Sequence, residues 1–533
     1  MKVSGSRQLR RLAVRSPVFW PGDNAVMIRP APAVAVPLVL VPTLGLAQGG
    51  FSPDAWVWLG ALAAWGAALA VVLSDDAGAL RSAWPWLGCA VALLAWTLGS
   101  TLWSAHVAQS VLETRRTLCY VAVLLALVAL ARRSAVGAIV VATHIAITSL
   151  ILYALLRYLL GAHHATEFSG YLLSDPLGYA NAVGIIAAFG ILLGLGIGSR
   201  VDSRRGRAGA AATLPPLALA LELTSSHATW LALAVGLGAA LLLDEAPFRV
   251  LRILFAIAAP SILLVLLGRR SGLSELATPR IDGWLLALAT AGCMLVAAAI
   301  AGRRLGVPRT TPRRPPVWVL VAATAVGVGI AAALVVVNGV TSEPRASYYR
   351  VAWHDEYVPH PLFGSGAGTF ALYWARSGHV ASRGGALDVH SLYLETLAEL
   401  GPLGLVLLLA TLLYPLRAAF AYRRVPYVPA AASAYVAFLV HAGLDWDWEM
   451  PVVVVAALSC AAAVVSGAIP RARPLSTPLR AVVLIMAVAL AGFAMAGVRS
   501  HTEPAAQHGL KKEAPRTRGL RSFTSVEKGY GLP

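Results

Sequence analysis

The stretch MPVVVVAALSCAAAVVSGAI (450–469) holds twenty residues without a charge. A helix rises ~1.5 Å per residue, so this run covers the ~30 Å hydrocarbon core of a bilayer. Asp447 and Glu449 precede it, and Arg471, Arg473 and Arg480 follow it. Apolar runs of this kind recur along the whole chain, at 33–50, 54–74, 86–104, 117–131, 135–160, 181–198, 211–225, 228–243, 250–268, 283–301, 317–337, 401–416, 427–443, 450–469 and 480–498. None alternates polar with apolar, so a membrane barrel is excluded. In lipid, each backbone polar group needs a partner within its own segment, which leaves helices. The expected fold is all-α: a polytopic transmembrane helix bundle of about 12–15 helices. A composition of 58% hydrophobic and 13% charged residues excludes a soluble chain.

The cations give the bundle an orientation. With the N-terminus in the cytoplasm, the inside segments hold 26 Lys and Arg and the outside loops hold 9. Inside loops carry the excess in membrane proteins. The net charge of +18 is therefore topology and asks for no nucleic-acid partner. The divisions that follow are a basic cytoplasmic arm (1–32), N-terminal transmembrane helices (33–337), a large extracytoplasmic loop (338–400), C-terminal transmembrane helices (401–498) and a polar tail (499–533) that reads as disordered. No secretory signal is expected, because no compact apolar core with a small-residue cleavage site follows the first arginines. Cys89, Cys119, Cys293 and Cys460 each sit inside an apolar run, which argues against a disulfide framework or a zinc site.

The loop at 338–400 differs from all the others. Connections this long are usually functional. It holds His354, His360, His379 and His390, four of the chain's twelve histidines, together with Arg345, Arg350, Arg376 and Arg383 and many aromatics. Its first part, from Pro344 to about Tyr357, has helical spacing. Arg350 beside Tyr349 and Trp353 reads either as a snorkelling arginine in an interfacial belt or as a planar fork for a lipid-linked phosphate. The glycines of FGSGAGTF (363–370) read as a tight turn or an anion-binding nest. No lysine follows and no strand precedes, so a nucleotide loop is excluded.

The loop ends in DVHSLYLETLAELGP (388–402). Ser391 is placed to cap a helix. Leu394, Leu397 and Ala398 share one face, with Glu395 and Glu399 elsewhere, and Gly401 and Pro402 end or kink the helix at the membrane. His390 stands at its N-terminal mouth. The positive helix end favours the neutral imidazole, the form a general base requires. A lone histidine at that place reads equally as a structural or capping residue.

At these residues the chain resembles the O-antigen ligase and O-antigen polymerase family of bacterial inner-membrane proteins. The signature that ends that family's periplasmic loop appears as His390, Ser391, Leu392, Tyr393 and Leu394 through Ala398, Glu399, Gly401 and Gly404. Further points of resemblance are Arg350 with Trp353, the run Pro361 to Gly364 with Gly366, Gly368 and Phe370, the stretch PLGYANA (176–182) and the stretch DWDWEMP (445–451). Together they cover roughly 170–455. The resemblance implies a fold like that of C-type glycosyltransferases, and movement of a glycan from undecaprenyl pyrophosphate to a glycan, lipid or protein acceptor at the outer face of the cytoplasmic membrane. It implies membrane lipid as surroundings, no nucleotide sugar, no cofactor and, as in the ligases, no metal. Carried over residue by residue, His390 is the base that activates the acceptor hydroxyl and Arg350 holds the pyrophosphate leaving group, whose growing charge a fixed cation stabilises. Glu395 or Asp388 orients the histidine. Arg345, Tyr393 and His227 complete the candidate substrate-binding set.

His227 is a departure, since it stands in TSSHATW (224–230) where the family has arginine, and it is mostly neutral near pH 7. The outer loop 161–180 adds His163, His164, Glu167 and Asp175, whose spacing matches no common metal site. Asp445, Asp447 and Glu449 alternate with Trp446 and Trp448, which reads as an interfacial belt or as rings for sugar stacking. A membrane transporter and a non-catalytic polysaccharide-assembly protein stand as alternatives. A transporter would line several spans with polar groups, whereas here only Arg157 and Glu222 stand out inside the spans.

Overall fold

The computed structural model describes residues 32–73, 78–161, 165, 169–274, 280–304, 315–337, 343–377, 388–468 and 476–496. All fifteen expected apolar segments are helical, and no sheet forms among the described residues. In chain order the helices are α1 (Ala35–Leu46), α2 (Pro53–Leu73), α3 (Gly78–Gly99), α4 (Val107–Leu130), α5 (Val136–Leu160) and α6 (Ala180–Arg200). They continue with α7 (Arg204–Ala212), α8 (Leu214–Leu223), α9 (His227–Leu243), α10 (Pro247–Arg270), α11 (Arg280–Arg304) and α12 (Val317–Val337). The last six are α13 (Glu343–Arg350), α14 (Phe370–Arg376), α15 (Leu392–Tyr422), α16 (Val428–Ala442), α17 (Pro451–Ser466) and α18 (Thr477–Ala496). Seven of the helices are long and apolar enough to cross a membrane, and shorter apolar helices pack among them. The chain is a multi-pass membrane helix bundle.

Small residues set the packing at its centre. Along α6 every residue from Ala182 to Gly198 is buried, and a Cβ at Gly196 would run into Ala430 of α16. Alanine and glycine let backbones approach closely where burial of apolar area cannot drive association in lipid.

Several boundaries differ from the sequence reading. The segment expected at 211–225 breaks into α7 and α8, because Pro215 and Pro216 open a new helix that the preceding turn cannot continue. Helix α4 begins ten residues before the expected 117, with His106 accepting the Gln109 N–H at its start. That extension carries Glu113 and Arg116 into the bundle, so the spans are less free of charge than the sequence suggested. Helix α15, by contrast, is kinked at Gly401 as the sequence reading expected, with a non-helical φ of 69° there that only glycine adopts readily. The kink frees the Leu400 carbonyl, which accepts the Trp96 indole N–H at 2.9 Å. Ser391 occupies the capping position of α15 but makes no capping bond through its side chain. Ala398 of the expected apolar face is buried and Leu394 and Leu397 are half-buried, and the face with Glu395, Thr396 and Glu399 is buried as well.

The loops gather at two ends. One end carries Arg132, Arg200, Arg204, Arg205, Arg207, Arg423 and Arg424, with Arg200 paired to Asp244 and Arg424 to Glu245. The other gathers the turns after α1, α3 and α8 and those before α6, α15 and α17, and the candidate residues lie there. The 1–31 arm, the tail beyond 496 and His163, His164, Glu167, His379 and Arg383 lie outside the described residues.

Candidate functional site

The site begins with the turn that enters α15. The backbone N–H of His390 donates to Asp388 Oδ1 at 3.2 Å, and the Val389 N–H donates to Glu395 Oε2 at 2.9 Å. These bonds hold His390 at φ 60°, a conformation uncommon for a residue with a side chain. They also bring its Nδ1 to 2.8 Å from Asp388 Oδ1. Among the described residues, the other ring nitrogen, Nε2, makes no hydrogen bond. Tyr348 of α13 stacks over the imidazole, centroids 5.1 Å apart, and Trp374 of α14 packs edge-on against Tyr348. Beneath them Val351, Ala352, Phe370, Trp374, Val389 and Ala398 form a small apolar cluster that fixes the loop on α15. Burial works against the charged imidazole, but the hydrogen bond and charge of Asp388, with the charge of Asp445, outweigh it and raise the pKa above the ordinary histidine value. The expected lowering by the helix end does not hold, because a carboxylate at 2.8 Å acts more strongly than a terminal dipole.

Of the two arginines on α13, the structure brings Arg345 to this centre. Its guanidinium lies 3.4 Å from Asp445 Oδ2, a carboxylate that is fully buried. Asp445 also accepts from the Tyr179 hydroxyl at 2.8 Å and from the Asn181 amide at 2.5 Å. Tyr179 stacks on Trp446. Arg350 ends α13 exposed, and among the described residues nothing joins it to His390 or Asp445. The stretch Val351–Tyr357 that follows is a π-helix, a wider turn than the α-helix the spacing predicts.

Other candidates have structural partners. Tyr393 donates its hydroxyl to the Leu439 carbonyl at 2.7 Å, tying α15 to α16. Glu395 holds the turn before His390 and does not touch the imidazole, so orienting the ring falls to Asp388. His227 is the half-buried first residue of α9, within electrostatic reach of Glu222, which pairs with Arg269 at 3.5 Å. It is not joined to the His390 centre. His360 faces the Glu356 carbonyl, and Arg376 lies over the Tyr373 ring.

The glycine run at 363–370 is a turn, and its anion comes from the chain itself. The N–H groups of Gly368 and Phe370 donate to the Glu399 carboxylate at 2.7 and 3.1 Å, and the Gly366 N–H donates to the Glu399 carbonyl at 2.9 Å. Glu356, fully buried, accepts from Ser365 and Thr369, and burial lifts its pKa to about 7 against those two hydrogen bonds.

Sequence reasoning missed a buried chain behind Asp445. His441 Nδ1 lies 3.1 Å from Asp447 and its Nε2 lies 2.9 Å from Thr229 Oγ1, which is 2.7 Å from Ser226 Oγ. All four residues are buried. A histidine in an apolar span, six residues before the aspartate it pairs with, was the available signal. It also missed the ion cluster of Arg116 with Glu113 and Glu449, over which Trp448 packs at 4.7 Å from the guanidinium. A cavity of about 150 Å³ lies against it, lined by Glu113, Arg116, Glu395, Glu399, Tyr435 and Trp448 above an apolar floor. The three carboxylates of DWDWE turn inward, where Asp445 meets Arg345, Asp447 meets His441 and Glu449 meets Arg116.

Comparison with known protein families and with curated proteins finds no match to this chain.

Proposed function

We propose that this chain is a membrane glycosyltransferase of the O-antigen ligase and polymerase kind, with a C-type glycosyltransferase architecture, acting at the outer face of a bacterial inner membrane. The observation that carries the reading is the imidazole of His390, held through Nδ1 by Asp388 under Tyr348, with Arg345 within electrostatic reach. The chemistry needs little else. Nε2 takes the proton of an acceptor hydroxyl, and its oxygen forms a bond to the anomeric carbon of the lipid-linked glycan. The bond from that carbon to the pyrophosphate oxygen breaks, and undecaprenyl pyrophosphate leaves with the electron pair. Asp388 stabilises the imidazolium that forms, as a carboxylate does when it orients a base. Arg345, and Arg350 on the exposed end of the same helix, supply the cations for the leaving group.

A carrier reading draws on one observation, the buried Arg116, Glu113 and Glu449 cluster beside a cavity. Deletion followed by complementation separates the two. The expected result is that undecaprenyl-linked glycan accumulates in deleted cells and is cleared by wild type. His390→Ala and Arg345→Ala insert normally and leave it uncleared, and Arg350→Ala reports which arginine holds the pyrophosphate. Full clearance by His390→Ala sinks the transferase reading and moves the carrier forward.

A further inference from the structure

The chain Ser226, Thr229, His441, Asp447 has the order of a nucleophile, a base and an orienting acid, with each step at hydrogen-bond distance. Its place in the fold speaks against a second reaction centre. Thr229 and His441 are fully buried, and neither lines the cavity.

Charge gives it another task. Asp445 and Asp447 are both buried, two residues apart in one turn. Two buried carboxylates so close are stable only if each is paired. Among the described residues, Arg345 meets the first and His441 the second. Arg345, Asp445, His441 and Asp447 thus form one electrostatic unit, and its Arg345 and Asp445 also lie within electrostatic reach of His390. With His441 charged, the unit is neutral. With His441 neutral, it carries one net negative charge next to the place a phosphate would occupy. The contact of Arg345 with Asp445 is long, at 3.4 Å, and engages one of five guanidinium N–H groups.

We infer that His441 is the charge-balancing residue of the site: as a cation on Asp447 it cancels one buried carboxylate and leaves Arg345 able to receive the pyrophosphate of a polyprenyl lipid. It acts through Arg345 and is a positioning residue. The inference rests on the proposed function and deepens it.

The test is binding of undecaprenyl pyrophosphate, with undecaprenol as the anion-free control, to the full chain in lipid nanodiscs. His441→Gln weakens binding of the pyrophosphate lipid about tenfold, as expected for one uncompensated charge at close range. Asp447→Asn binds at least as well as wild type, and the double variant His441→Gln/Asp447→Asn returns to within about threefold of it. Undecaprenol binds all four proteins alike. A purely structural role for His441 makes the double variant as weak as His441→Gln or weaker, and that result overturns the inference. So does weakened binding by Asp447→Asn alone, a measurement that stands even if His441→Gln fails to fold. If wild type does not bind the pyrophosphate lipid, the functional reading falls and takes this inference with it.

Discussion

His390 owes its position to three short-range devices: a carboxylate two residues earlier, a glutamate one helical turn later and a tyrosine ring stacked on its face. Asp388 does most of this, because one carboxylate both fixes the backbone turn and holds Nδ1. Since the pKa of His390 is raised, its imidazole becomes mostly neutral only above the ordinary histidine value, and the proposed transferase activity should rise with pH through a midpoint above ~6.5. Asp388→Asn removes the main group that raises the pKa and leaves burial, which lowers it, against the weaker pull of Asp445. The midpoint should then move down and the plateau rate fall roughly 100-fold, as for a misaligned general base. The same shift has a stability sign. A group whose folded pKa is raised contributes stability that is full below its unfolded value and lost as pH rises through the folded one. The melting temperature of wild type should therefore decline across that window, and Asp388→Asn should flatten the decline. A pH–rate profile and a melting series in detergent check both.

At the scale of the element, α15 joins chemistry to scaffold. Its first two turns face the loop with Glu395 and Glu399, and the remainder runs through the bundle beyond the kink at Gly401. The glycine turn is moulded on this helix. Gly364 has φ 71°, and a Cβ there would strike the Glu399 carbonyl group. Glu399→Ala would orphan the buried Phe370 N–H at ~1–3 kcal/mol and free the part-buried Gly368 N–H at less. Gly364→Ala should destabilise comparably, through a positive φ and a backbone clash. Both variants should lower the melting temperature and detach the Val351–Phe370 segment, measured as faster amide exchange there. Unchanged protection in Glu399→Ala would show that the carboxylate does not hold the turn.

For the whole molecule, polarity is divided between two ends, an arginine-rich one and one that holds His390, Arg345 and the buried carboxylates. The positive-inside rule places the first in the cytoplasm. Single cysteines replacing Arg205 and Leu362, in a background with the four native cysteines removed, test this in whole cells with an impermeant maleimide. Leu362, 72% exposed at the loop end, should label, and position 205 should label only after the membrane is opened. Labelling at 205 alone would invert the topology and put His390 on the cytoplasmic side, against the proposed reaction at the outer face. The Arg116 cluster also acts at this scale, because it joins α4 to the turn before α17. Arg116→Ala leaves Glu113 and Glu449 buried without their cation, a loss of about 3–5 kcal/mol for a broken buried pair. Failure to accumulate in the membrane is its expected outcome.

Hydropathy alone determined that the chain is a multi-pass helical membrane protein, because burial in lipid acts on each segment separately and leaves twenty-residue apolar runs such as 450–469. Near-neighbour chemistry was legible as well, since Asp388, His390 and Glu395 all fall within a stretch of eight residues. Which distant residues join them was decided only by tertiary packing. The choice of Arg345 over Arg350 depends on the phase of α13 against the bundle. The burial of Glu399 depends on a glycine turn some thirty residues upstream. The pairing of Thr229, His441 and Asp447 depends on α9 meeting α16. Charges inside a bundle are set by partners far apart in sequence, and a linear reading that weighs each span by its own hydropathy has no access to them.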